Sequence, residues 1–416
     1  MFSEEELKQR LYVNNYEQWT KLANRKFLSE RKLNVTEIDN GIILPAKFVG
    51  ESVSKGGVFD SNMNFVAGFF RNNPPNAGMF GVCGAYEVDK IVKSNNEVIF
   101  GGLLMGLFGH FILECLGRMW YILNNREDKR KIVFLITAGE KEWFKPFFEL
   151  LDIDWNRIEI LKKPKQYKKI IIPDESVHSW FDYTKEYLMP YDYIKSKVKE
   201  GSIKKLYLTR SKIKITERNQ GMYLCNEEYF EQFYKNKGFT IISPEEFSIK
   251  EQISMLSGAD EIVSTLGSLS HFAIFCKPGT KFTMLTRVDN NTLCPQCLIN
   301  EARNIDWYIV DASLNFLPLQ NRSCGVCLLG ETKHWKKYVK EKYGEEIQQE
   351  YWPYKLEDFI KSWCFYLSID SAAPLLMKAI VRTYEITKQN EVQPDVSELQ
   401  HKIDLLESQL KSADNN

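Results

Sequence analysis

Short apolar runs alternate along this chain with longer stretches in which apolar residues recur every three or four positions. Gly41–Phe48 and Glu97–Phe100 read as strands in a first hundred residues otherwise broken by Asn, Gly and Pro. Gly106–Asn124 reads as a buried helix, and Lys131–Thr137, closed by Ala138-Gly139, as a strand. A helical pattern over Lys141–Leu151 leads into strands at Arg157–Leu161 and Lys169–Pro173. The polar stretch Asp182–Gly201, broken at Pro190, reads as a linker helix. Alternation then restarts with strand Lys205–Thr209, helix Glu227–Lys237, strand Phe239–Ser243 and helix Ser248–Gly258. That last helix carries a capping box, Ser248 with Glu251. Strand Glu261–Thr265, helix Ser268–Cys276, strand Lys281–Thr286, helix Thr292–Asn304 and strand Trp307–Val310 complete the series.

Such alternation predicts an α/β fold with parallel sheets, since each crossover helix returns the chain to the same sheet edge. Two successive units predict two Rossmann-like domains, residues 1–190 and 191–345, followed by a helical tail over 346–416. In the tail, Val396, Leu399, Ile403, Leu406 and Leu410 form an a/d seam too short to hold a coiled coil alone. A docking helix and a weak homo-oligomerisation element are equally open readings. Ligands in open α/β sheets bind beyond the carboxyl ends of the strands.

Composition narrows the class. The 416 residues carry 55 Lys+Arg against 55 Asp+Glu, and 44% are hydrophobic. That describes a folded, enzyme-sized chain without the net basic footprint of a nucleic-acid binder. The opening Met1-Phe2-Ser3-Glu4-Glu5-Glu6 is acidic and does not resemble a secretory signal. The longest apolar run, Gly101–Leu123, holds His110, Glu114 and Arg118, each costly at a bilayer centre, so a membrane span is not expected. An odd count of nine cysteines fits a reducing compartment.

Three clusters could carry chemistry. His110, Glu114 and Arg118 stand at i, i+4 and i+8 and would form one polar stripe on an apolar helix. They read either as a buried Glu114–Arg118 ion pair with a core histidine, or as a general base, His110 or Glu114, held by Arg118. The second cluster, Tyr207-Leu208-Thr209-Arg210-Ser211-Lys212 with Arg218, places a guanidinium just past a strand end, where it suits a phosphate. In the third, Ser264 to Phe272, a strand enters the turn Leu266-Gly267-Ser268, and Gly267, Ser268, Ser270 and His271 could hold an anion at a helix start. Neither GxGxxG nor GxxxxGK[ST] is present, which disfavours a dinucleotide or P-loop enzyme. Separately, Cys294, Cys297, Cys324 and Cys327 form C-x2-C-x26-C-x2-C, open between a structural zinc site and core cysteines.

Taken in order, the three clusters resemble glycosyltransferase family 61, including its bacterial capsular-polysaccharide branch. The resemblance runs from about Gly109 to Thr286. It rests on Gly-His-Phe…Glu…Arg at 109–118, Tyr-Leu-Thr-Arg…Arg…Asn-Glu at 207–227, Gly-Phe…Pro-Glu-Glu-Phe-Ser…Glu-Gln-Ile at 238–253 and Ala-Asp-Glu-Ile-Val-Ser…Gly-Ser…His…Phe at 259–275. It implies a GT-B fold, two Rossmann-like domains facing across a cleft, and inverting transfer from a nucleotide-sugar to a glycan hydroxyl with no obligatory metal or cofactor. It further implies that Arg210, Lys212, Arg218 and the Gly267–His271 turn hold the donor diphosphate while His110 or Glu114 deprotonates the acceptor. Where many members carry His-Gly-Ala, this chain has Leu266-Gly267-Ser268, so His271 would have to stand in. The expected setting is the cytoplasm at the inner face of the membrane. Lysines 162, 163, 165, 168 and 169 are candidate contacts to an anionic glycan or membrane surface. The rivals are another Rossmann-type sugar-nucleotide enzyme and a non-catalytic binding module.

Overall fold

A computed structural model describes residues 2–49, 53–71, 81–137, 139–213, 224–287, 293–314, 326–347 and 356–366. Arg218, Cys324 and the 396–410 seam lie outside the described residues. After α1 (Glu4–Lys8), β1 (Leu11–Tyr12) and α2 (Tyr16–Ala23), the chain builds the first of two large sheets. Its strands are β2 (Val35–Asp39), β3 (Ile42–Val49), β4 (Val53–Phe59), β5 (Phe65–Ala67), β6 (Val92–Met105), β7 (Lys131–Thr137), β8 (Ile158–Ile160) and β9 (Lys165–Pro173). Their order is β5-β4-β3-β9-β6-β7-β8, with β2 also on β9. Only β9, β6, β7 and β8 run parallel, and β2 to β5 add antiparallel strands. The first half is therefore a mixed sheet rather than a Rossmann-like one. Its early strands connect by short turns that leave no room for crossover helices.

A hairpin of β10 (Val177–His178) and β11 (Asp182–Tyr183) leads toward the second sheet. That sheet comprises β12 (Lys205–Leu208), β14 (Thr240–Ile242), β15 (Glu261–Thr265), β16 (Lys281–Thr286) and β17 (Asp306–Asp311). Between them β13 (Leu224–Cys225) pairs with β18 (Cys327–Leu328). The order is β1-β17-β16-β15-β12-β14, and every pair is parallel. From β12 the chain steps out to β14 and then returns to the other side of β12 as β15. The crevice between β12 and β15 is thus a topological switch point, where neighbouring crossovers diverge and leave a gap above the sheet. The edge strand β1 comes from the start of the sequence, and Arg10 anchors it on Asp306 at 2.6 Å.

The helices are α3 (Phe108–His110), α4 (Met119–Asn124), α5 (Phe144–Leu150), α6 (Met189–Ser196), α7 (Glu227–Asn236), α8 (Ile249–Gly258), α9 (Cys294–Ala302), α10 (Lys333–Tyr343) and α11 (Leu356–Tyr366). The Ser248–Glu251 capping box forms as read. Pro190 opens α6 instead of breaking a helix, because the first helical turn needs no N–H from it. Far from a polar linker, α6 buries Pro190, Tyr191 and Ile194. Tyr191 and Phe147 both meet Phe275, so the two halves share one apolar core. The expected helix over Gly106–Asn124 is interrupted. Strand β6 absorbs its approach through Met105, and α3 is followed by a π-helical turn, Phe111–Cys115, before α4. No helix among the described residues is long and apolar enough to cross a membrane.

Candidate active site

Strand β6 is buried from Val98 to Met105 and delivers the chain straight into α3 at its carboxyl end. The π turn that follows releases carbonyls an α-helix would have used. The buried hydroxyls of Tyr187 and Tyr191 donate to those of Leu113 and Ile112, so the irregular backbone is satisfied. The wider turn also breaks the expected polar stripe. His110 and Glu114 stay together, with Nδ1 3.0 Å from Oε1. Arg118 turns away instead, to Glu175 at 3.4 Å and the carbonyls of Gly68 and Pro173. The expected Glu114–Arg118 pair is therefore absent, and Arg118 holds neither candidate base.

Arg71 takes its place. Its Nε donates to Glu114 Oε2 at 2.9 Å and its Nη2 to Oε1 at 2.8 Å, a bidentate clamp. Nη2 also lies 2.7 Å from His110 Nδ1. Burial alone would raise the Glu114 carboxyl, but Arg71 and then His110 hold it below the usual carboxylate range. Glu114 has a side-chain exposure of only 2%, whereas His110 keeps 30% and lines the cleft. Of the two candidate bases, only the histidine can meet a ligand there.

The cleft encloses about 980 Å³ and is walled by both halves. From the first come Leu107, Phe108, His110 and Trp143; from the second, Arg210, Phe247, Ser268 and His271. The halves approach closely at Gly109, where a Cβ would stand 2.7 Å from Ser268 Oγ and 3.2 Å from the His271 ring. Only glycine fits between them.

On the second sheet, three adjacent parallel strands end in the elements that matter. Arg210 follows β12, the turn 266–269 follows β15, and Arg287 follows β16. Arg210 lines the cleft, and its Nε is buried with no hydrogen-bond partner. Its backbone N–H donates to Glu227 Oε2 at 2.9 Å. Burial pushes the Glu227 carboxyl up to about 8, so at neutral pH it does little to cancel the arginine's charge. Burial, and next the nearby Arg287, bring Arg210 down to about 10, still cationic. Arg287 packs its Nη2 against Gly267, whose φ of +134° few other residues would accept. Its Nε donates to the Leu266 carbonyl at 3.0 Å.

Other expected contacts fall elsewhere. Lys212 does not line the cleft; Glu246 takes its ammonium at 2.9 Å on the surface. The expected helix Ser268–Cys276 is a 3₁₀ helix from Ser270, so the turn lacks an α-helical N-terminus. The Ser270 hydroxyl is spent inside, accepting from Gly267 N–H and reaching Gln296 Oε1 at 2.7 Å. His271 Nδ1 meets the same Gln296 Oε1 at 2.9 Å. As Gln296 Oε1 can only accept, Nδ1 carries the proton and Nε2 is an acceptor. Lysines 165, 168 and 169 pair with Glu159, Glu97 and Glu37, which leaves that strip largely neutralised. The four-cysteine reading finds Cys294 and Cys297 in one core and Cys327 in another. Among the described residues, no three potential metal ligands converge.

Burial pushes the His271 imidazole down to about 4, against the opposing bond to Gln296. Between pH 6.5 and about 4 the unfolded chain then takes up a proton that the folded chain refuses. Stability should fall across that window as pH drops. A His271→Asn variant is expected to show a shallower decline in Tm between pH 6.5 and 4, with matching slopes above. Parallel slopes throughout would refute the buried neutral histidine.

Sequence reading missed Arg71, Arg287 and Gln296. Arg287 stands one residue past a strand end, the same signal that singled out Arg210. Arg71 and Gln296 had no such mark: one follows a short edge strand, and the other is a buried polar residue in the first turn of a largely apolar helix.

Residues 108–283 match the family model described as Glycosyltransferase 61, a span holding His110, Glu114, Arg210 and His271 but neither Arg71 nor Arg287. The match supports that family and implies glycosyltransferase activity. No curated protein matches the chain.

Proposed function

We propose that this chain is an inverting glycosyltransferase that moves a sugar from a nucleotide-sugar to a glycan hydroxyl. The observation that carries it is a buried guanidinium, Arg210, at a strand switch point with Arg287 near enough to be felt, across one cleft from a carboxylate-supported histidine. Two like charges kept close, one with a buried unpartnered Nε, suit a diphosphate.

Arg210, Arg287 and Ser268 bind the donor's diphosphate and leave its anomeric carbon facing His110. The acceptor oxygen attacks that carbon from the face opposite the diphosphate. The old C–O bond breaks, and its electron pair leaves on the phosphate oxygen. The acceptor's proton passes to His110 Nε2 in the tautomer whose Nδ1 donates to Glu114 rather than accepting from Arg71, and the Glu114 charge stabilises the imidazolium that forms. Charge building on the leaving nucleotide is met by the two arginines, with no obligatory metal. In this reading the reaction serves cell-surface polysaccharide assembly at the cytoplasmic face of the membrane, with the resemblance to the capsular branch as its support. The paired lysines give that location no added support.

A panel of nucleotide-sugars, followed by nucleoside diphosphate release, tests the activity. His110→Ala is expected to lower kcat by about 10²–10⁴, the usual worth of a positioned base, with donor affinity unchanged. Undiminished turnover in that variant would sink the histidine's role, whereas no nucleoside diphosphate release from any donor would favour a binding module.

A further inference from the structure

The cleft is longer than its diphosphate end, and its first-sheet wall has a distinct chemistry. Beyond His110 that wall consists of Leu107, Phe108, Trp143, Pro146 and Leu150, with Glu142 and Glu149 among them. Trp143 lies beyond the carboxyl end of β7, the strand beside β6, and lines the same cleft as His110. Phe108, Phe111 and Phe144 pack against it at centroid separations of 5.1, 5.1 and 4.6 Å, all near edge-on. The half-buried ring is thereby fixed, and ligand binding need not order it. Leu107, 43% exposed, extends the apolar surface.

Charge divides the two walls. The cations that line the cleft, Arg210 and Lys250, belong to the second half. Among the described residues, the first-half wall presents no lysine or arginine to the cleft, only two carboxylates. Lys145 lies 3.6 Å from Glu149, but both are more than half exposed and the pair screens little.

We propose that this wall is an acceptor subsite for an uncharged sugar. The sugar's apolar C–H face lies on the Trp143 ring, and its hydroxyls can donate to Glu142 and Glu149. Weakly positive C–H bonds suit the negative face of an aromatic ring. Carboxylate acceptors suit hydroxyls and repel a uronate or phosphate at the same position. This rests on the transferase reading above, because it takes the acceptor to reach His110 from this side. It makes the acceptor end a neutral sugar, in contrast to the anionic glycan the lysine strip had left open.

Calorimetric titration of the full chain tests it with four probes: chitotetraose and cellotetraose as neutral glycans, tetragalacturonate as an anionic one, and inorganic pyrophosphate for the arginine pair. At least one neutral tetrasaccharide should bind about tenfold or more tighter than tetragalacturonate, where tenfold is ~1.4 kcal/mol. Trp143→Ala should weaken that neutral glycan by at least about tenfold while pyrophosphate binding holds. Trp143→Phe, which keeps a packed ring, should retain an intermediate affinity. The double variant E142Q/E149Q should narrow the gap to tetragalacturonate. Preference for tetragalacturonate, an unmoved neutral affinity in Trp143→Ala, or pyrophosphate binding with no glycan binding would each overturn the subsite. Failure of the transferase reading shows differently: neutral glycan binds through Trp143, yet no nucleotide-sugar is turned over.

Discussion

Arg210→Ala is expected to lower kcat/KM by about 10²–10³, as loss of a preorganised donor to a developing anion does. The same substitution should leave Tm unchanged or raise it. Arg210 is cationic beside Arg287, its Nε is buried without a partner, and the carboxyl beneath it is neutral over much of the physiological range. Without a bound anion, this arrangement stores repulsion rather than stability. Deleting one guanidinium removes that repulsion together with the diphosphate site. Pyrophosphate affinity and Tm, measured side by side, check both halves of the expectation. A variant that melts several degrees lower and binds pyrophosphate as before would make Arg210 a structural residue. Arg210→Lys should recover charge but not the fork, and so only part of the affinity.

The second large effect concerns Glu114. Its partner Arg71 has 7% side-chain exposure, so Glu114→Ala would strand a buried cation. Breaking such a pair costs about 3–5 kcal/mol, mostly the penalty of the charge left behind. The urea midpoint should fall accordingly, and turnover with it. Adding Arg71→Met to Glu114→Ala should restore most of the midpoint, since apolar replacement of both partners is often neutral. Turnover should stay low, because the carboxylate that faces His110 Nδ1 is still missing. If the double variant also recovers activity, Glu114 and Arg71 serve the fold alone.

Much of the architecture was legible where strands are buried on both faces. Lys131–Thr137, Glu261–Thr265 and Lys281–Thr286 stand in the structure with the bounds read from their apolar runs. Helices with polar starts were equally plain, as Ser248 and Glu251 show. The reading failed over Gly106–Asn124 for the same physical reason. There a buried strand runs into a buried helix, and no polar residue marks the change. Gly101 and Gly102 sit instead at a bulge in β6, and a Cβ on Gly101 would strike the Phe134 ring. The antiparallel strands of the first half were harder still, being short and divided by Gly and Asn. At the site, His110 and Arg210 were visible as polar residues at strand or helix junctions. Arg71 joins Glu114 from 43 residues away, an encounter set by sheet topology and not by spacing.

The pairing of β1 with β17 has a temporal consequence. Tyr12 cannot meet Val310, nor Arg10 reach Asp306, until 296 further residues have been made. At about 5–20 residues per second, that is roughly 15–60 s of waiting on the ribosome. Throughout, Leu7, Leu11 and Trp19, all buried in the finished molecule, have no sheet to cover them. The diphosphate half is thus late to close, and it closes with a segment synthesised long before it. Nascent chains stalled before Asp306 should accordingly leave this opening segment open to protease, and chains released beyond Asp311 should protect it.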